Sequence, residues 1–200
     1  MNPDFNIAYN KTKTSEGEYS NDPNDAGGET WKGISRIKNP TWAGWSIIDK
    51  IKTSVAKNEL ILALNKNEEL TFLVNAFYKQ NHWDSLNLDY VLYQEIADEL
   101  FDTGVNQGPA TSGKYFQQSL NFLNSNQKYY KNIDEDGVIG QGTLTALKAY
   151  FNIPGRLESD KLKVLLKVLN GIQFCKYKDI CVKNETQEVF FYGWVLNRID

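Results

Sequence analysis

Helical periodicity runs through most of this chain and breaks down over one stretch, Ser15 to Ser35, and that break constrains the fold more than any other feature of the sequence. The stretch reads SEGEYSNDPNDAGGETWKGIS, with acidic residues, two adjacent glycines and a threonine set between two aromatics. An amphipathic run leads in from Phe5, with Phe5, Ala8 and Tyr9 on one face, and predicts a helix from Pro3 to Glu16. Its signal stops at Glu16-Gly17, which leaves a carboxylate at a helix C-terminal end. Partial negative charge from the helix dipole disfavours a second negative charge there and raises a carboxyl pKa. Asn21-Asp22-Pro23 and the run Asn24 to Gly28 are consecutive turn signals, compatible with a tight hairpin or two linked turns. Such a segment holds Asp22, Asp25 and Thr30 near Glu16 without burying them. Two carboxyl groups across a gap are the minimal equipment for glycoside hydrolysis. The competing reading of the same residues is a solvated surface, the usual state of a Glu at a helix end and of Asp in Asn/Pro/Gly turns.

Beyond the break the chain reads as helix after helix. Trp31, Trp42 and Trp45 lie in a stretch broken by Gly33, Pro40 and Gly44, where rings suit either stacking on sugars or core packing. Ile47, Ile48, Ile51 and Val55 recur at helical spacing, Leu60 to Leu64 form a shorter apolar turn, and Asn67 suits the N-cap of a helix to about Lys79. His82-Trp83 carries the only histidine, read as structural rather than as a base. Ile96, Ala97, Leu100, Phe101, Gly104 and Val105 share one face of a buried helix ending in a Gly-Pro break, where Asn106 is either a substrate contact or a cap. A helix follows over Thr111 to Leu123. The loop with Asp134, Asp136 and Gly137 lacks the other ligands of a calcium-binding loop. Helices near Thr143 to Tyr150 and from Ser159 through Leu162, Leu165, Leu166, Leu169 and Ile172 precede a closing helix. There Phe190, Phe191, Trp194 and Leu196 are the expected anchors, and Arg198 is expected to face polar groups or a carboxylate. The predicted class is mainly α, with at most a small β-hairpin near the site.

Composition narrows the function. With 200 residues, 41% of them hydrophobic, the chain can bury a sizeable core. A net charge of −3 provides no basic stripe for nucleic acid, so recognition of any anionic partner would rest on shape, hydrogen bonds and aromatic stacking. The N-terminal residues show no signal-peptide pattern and no stretch approaches a membrane span, which predicts a protein made in the cytoplasm without membrane insertion. One histidine and two cysteines exclude a His/Cys metal cluster, no cofactor is implied, and Cys175 and Cys181 are read as free thiols rather than a small disulfide loop.

The run E-G-x-Y-x-N-D-P-x-D-x-G-G-x-T-x-x-G-I, from Glu16 to Ile34, resembles the signature of the glycoside hydrolase family 108 lysozymes, N-acetylmuramidases of phages and bacteria. It departs at Glu18, where the family more often has a second glycine. Phe101 to Pro109, Asp136 to Thr143 and the closing run Phe190 to Arg198 resemble later parts of the same family, including a region associated with peptidoglycan binding. The resemblance implies a lysozyme-like fold with a catalytic lobe at 1–90 and a peptidoglycan-binding lobe at 91–200, packed as one globular unit and acting as a monomer. It implies hydrolysis of the β-1,4 bond between N-acetylmuramic acid and N-acetylglucosamine in peptidoglycan glycan strands. Glu16 is then the general acid, Asp25 its partner with Asp22 as rival, and Thr30 the holder of the attacking water. Tyr19, Asp22, Trp31 and Asn106 are the expected substrate contacts. Access to the wall would follow holin-type or dedicated release, as for a phage or prophage endolysin. The alternatives are a peptidoglycan-binding module without catalysis and a phage or secretion-associated structural component.

Overall fold

The computed structural model describes residues 2–13, 18–21 and 28–199. Among them are nine α-helices and one small antiparallel sheet, so the chain is mainly α, as its periodicity predicts. In chain order these are α1 (Phe5–Thr12), β1 (Tyr19–Ser20), β2 (Thr30–Trp31), β3 (Ile34–Ser35), α2 (Gly44–Ser54), α3 (Leu60–Lys66), α4 (Glu68–Tyr78), α5 (Gln94–Gln107), α6 (Pro109–Leu123), α7 (Gln141–Phe151), α8 (Glu158–Lys183) and α9 (Glu188–Arg198). They group into two compact units, Thr12–Gln80 on one side and Met1–Lys11 with Asn81–Asp200 on the other.

The sheet-bearing unit is organised by a two-residue turn. Lys32 (φ 45°) and Gly33 (φ 79°) join β2 to β3, with Trp31 opposite Ile34 and Thr30 opposite Ser35. Positive φ at both central residues gives the turn the twist that matches a right-handed strand pair. The sheet thus has one strand more than a single hairpin. The Tyr78 hydroxyl, at the end of α4, donates to the Lys32 carbonyl at 2.7 Å and pins this turn to the helices. Asn67 caps α4 as expected, its side chain accepting from the Leu70 amide at 2.7 Å. Ile48, Leu64, Leu70 and Val74 bury the apolar faces of α2, α3 and α4, and Trp31 and Ile34 on the sheet are buried as well.

In the other unit, α5 and α6 are joined at Gly108, whose φ of 91° lets the chain reverse before Pro109 opens α6. Phe5 of α1 packs edge-on against Trp83 and Phe101, with centroids 5.8 and 5.7 Å away. His82 lies in a π-helical turn (Lys79–Trp83), half-buried, with Nδ1 3.1 Å from the Gly104 carbonyl. Burial lowers its pKa, and the bond to that carbonyl only partly restores it, so the imidazole is neutral and structural.

Three helices differ from expectation. α1 spans Phe5–Thr12 rather than Pro3 to Glu16. α8 continues past Ile172 to Lys183, because its inward stripe turns polar and the apolar count loses it. Asn170, Gln173 and Tyr177 are buried there, with Asn170 donating to Glu99 at 3.3 Å and Gln173 bonded to the Tyr177 hydroxyl at 2.9 Å. In α9 no residue is fully buried, and two expected anchors, Phe190 at 53% and Leu196 at 66%, stand exposed. The helix is held instead by Trp194 stacked on Tyr177 (5.1 Å), Phe191 against Phe174 (5.9 Å) and Arg198 Nη1 donating to Asp102 at 3.1 Å. Cys175 and Cys181 are free, one exposed and one buried on α8. Six residues along a helix separate them by about 9 Å of rise, beyond disulfide reach.

Candidate active site

Strand pairing brings Tyr19 opposite Trp31 and Ser20 opposite Thr30. The ladder extends on both sides, from the Lys32 amide to the Glu18 carbonyl (2.9 Å) and from the Arg36 amide to the Glu29 carbonyl (2.8 Å). Glu29, just before Thr30, is the hub beneath it. Its carboxylate, 11% exposed, accepts from Lys52 Nζ at 2.6 Å, from Arg36 Nη1 at 2.7 Å and from the Tyr19 hydroxyl at 2.7 Å. Arg36 also grips Asp49 on α2 through both terminal nitrogens at 2.7 Å and lies over the Trp45 ring. The fork geometry of guanidinium suits such shared carboxylate contacts.

These contacts set the charges. Burial alone raises the Glu29 pKa, but hydrogen bonds from Lys52, Arg36 and Tyr19 outweigh it and hold the carboxyl below its ordinary value. The hydrogen bond to Glu29 raises Lys52, and Arg36 lowers Asp49. Burial, then the bond to Glu29, raises the Tyr19 phenol. Glu29 is therefore a fixed anion at neutral pH with no proton to donate, and proton donation to a leaving group falls to another residue.

Of the residues expected at the site, Glu16, Asp22 and Asp25 lie outside the described residues. Thr30 is half-buried on β2, its hydroxyl donating to the Gly28 carbonyl at 3.2 Å, which leaves its oxygen lone pairs to accept. Tyr19 is half-buried, with its hydroxyl committed to Glu29 and Lys52 Nζ 5.8 Å from its ring centre. Trp31 departs from its expected role as a substrate contact: at 1% exposure it is core, with no ring face open for stacking. The reason is strand alternation, since adjacent residues on a strand point to opposite faces, and only one of Thr30 and Trp31 faces outward. Its indole nitrogen is buried and meets no hydrogen-bond partner among the described residues. Trp45 is also core, donating to the Asn39 carbonyl at 2.7 Å, while Trp42 is half-buried over Gly44. Asn106 belongs to the other compact unit and is exposed within α5, where its amide turns back on Asp102, donating to the carbonyl at 2.7 Å and the carboxylate at 3.1 Å. The cap of α5 is Gly108.

Sequence reasoning missed Glu29. Its signal was a fifth acidic residue in the stretch, at the variable position of G-G-x-T, with Arg36 seven residues on. Across a β2–β3 turn of two residues that spacing places the two on paired backbone.

A mainly helical chain that carries its polar cluster on a small antiparallel sheet is of the lysozyme-like class. The chain belongs to the glycosyl hydrolase 108 family, whose model matches residues 9–108, and a predicted peptidoglycan domain matches residues 112–199. Together they support a glycoside hydrolase directed at peptidoglycan. Among solved structures, that of Brucella abortus SagA is similar at 24% identity, covering 96% of this chain and 87% of that one with a TM-score of 0.54, a likeness of fold. No curated protein matches. Among the described residues no helix is long and apolar enough to cross a membrane.

Proposed function

We propose that this chain is an N-acetylmuramidase that hydrolyses the β-1,4 bond between N-acetylmuramic acid and N-acetylglucosamine, with Glu16 as general acid. The observation that carries the reading is family membership over residues 9–108, a span that contains the whole run Glu16 to Ile34. Glu29 strengthens it by exclusion, because the acid beside Thr30 is locked as an anion by two cations. On this reading Glu16 protonates the glycosidic oxygen, Asp25 orients water or balances the positive charge developing on the sugar, and Thr30 accepts a hydrogen bond from that water. Residues 1–90 cut and residues 91–200 hold the wall.

Glu16→Gln preserves shape and removes the proton donor. Hydrolysis of purified peptidoglycan should fall by about 10²–10⁴-fold, the usual contribution of a general acid, with the melting temperature unchanged. Activity near that of the unaltered protein would remove Glu16 from the mechanism.

A further inference from the structure

The predicted peptidoglycan domain contains an open groove of about 370 Å³ between α6 and the loop that leads into α7. Its wall is built rather than incidental. Gln117 of α6, 2% exposed, donates to Asp136 at 2.7 Å and to the Val138 carbonyl at 3.0 Å, and its own oxygen accepts from the Gly137 amide at 2.7 Å. Gly113 and Gly137 let helix and loop backbones touch: a β-carbon on Gly113 would lie 2.1 Å from the Gly137 carbonyl oxygen. The loop is thus fixed before any ligand arrives, which lowers the ordering cost of binding.

The lining is mixed. Asp134 makes no hydrogen bond among the described residues, and Asp136 is oriented by Gln117 and the Val138 amide (2.8 Å), so carboxylate oxygens remain for hydroxyl donors. Ile133 and Val138 add apolar surface beside them. Gly140 and Gly142 line the same groove, and a β-carbon on either would meet nothing within 4 Å. Neither has the positive φ that demands glycine. The fold does not need these two glycines, and their effect is to keep one wall bare for close approach.

We infer that this groove is a saccharide subsite that holds an amino-sugar unit of the glycan strand apart from the cleavage site. Carboxylates accept from sugar hydroxyls, the apolar patch meets the C–H face, and the bare glycine wall admits the ring. The volume falls in the range of small-ligand pockets, about 300–1,000 Å³. This rests on the reading that the chain acts on peptidoglycan, but not on Glu16 or on cutting.

The test uses the full chain and a tetramer of N-acetylglucosamine as probe, followed by amide NMR shifts. Titration should move the resonances of Asn132 to Thr143. Asp134→Ala and Gly142→Leu should each weaken that binding by about tenfold, the loss of one hydrogen bond to a charged group or of the space for the ring, with spectra otherwise folded. Shifts confined to Thr12–Gln80 would overturn the subsite while leaving the catalytic reading intact. Unchanged binding in both variants would overturn it as well, and so would a response to free stem peptide without any response to the sugar.

Discussion

The Tyr19 hydroxyl donates to the Glu29 carboxylate at 2.7 Å, which ties the residue across from Trp31 on β1 to the residue that precedes Thr30 on β2. The short sheet therefore depends on an ion cluster as well as on its ladder. Two-residue strands form few backbone hydrogen bonds, and Lys52 and Arg36 supply fixation that strand length does not.

Glu29→Gln should destabilise the sheet-bearing unit by about 1–3 kcal/mol, between the small cost of losing a surface pair and that of breaking a buried one, because Lys52 and Arg36 are left partly solvated. Since the folded pKa of Glu29 is depressed, its contribution is fully present above the unfolded value of about 4.3 and is lost as pH falls through the lower folded pKa. Thermal melts from pH 7 to pH 3 should show an acid-sensitive loss of stability that is smaller in Glu29→Gln. Parallel pH profiles would contradict the cluster's role.

The single histidine gives a clean probe. Burial depresses His82, so its ¹H NMR titration should have a midpoint below the ordinary 6.5. The neutral form is favoured in the fold, and His82 therefore stabilises above about pH 6.5 and loses that contribution as pH falls further. A midpoint at or above 6.5 would place the ring in solvent.

Thiol labelling separates the two cysteines. Cys175 should react at once with an aromatic disulfide reagent and Cys181 only on unfolding, and a reductant should leave the melting temperature unchanged. Two equally fast thiols, or stabilisation under oxidising conditions, would contradict their places on α8.

For the acid that partners Glu16, Asp25→Asn should cut turnover sharply with little change in thermal stability, while Asp22→Asn, in a turn-forming Asn-Asp-Pro, should mainly lower stability. The opposite pattern would move the role to Asp22.

The fold was legible wherever one apolar stripe met a strong boundary signal: Asn67 before α4 and Gly108-Pro109 between α5 and α6. It was not legible where burial is polar. Asn170, Gln173 and Tyr177 carry α8 inward for about two more turns, yet none of them belongs to an apolar stripe. In the site, the sequence predicts at most a small hairpin, and pairing places Tyr19 and Thr30 on neighbouring strands of a three-stranded sheet. Trp31 was misread because aromatic density was weighed without the two-residue period that sends it inward. Glu29 was missed because its partners, Arg36, Asp49 and Lys52, converge only once the turn at Lys32-Gly33 folds the strands back and α2 is laid beside them. Sequence spacing alone does not show that convergence.

The central claim is muramidase action through Glu16, and the most direct measurement is mass spectrometry of purified peptidoglycan after digestion by the unaltered protein and by Glu16→Gln. The account predicts disaccharide-peptides with N-acetylmuramic acid at the reducing end from the unaltered protein and almost none from Glu16→Gln. Reducing N-acetylglucosamine ends, an uncut wall, or equal digestion by both proteins would contradict it.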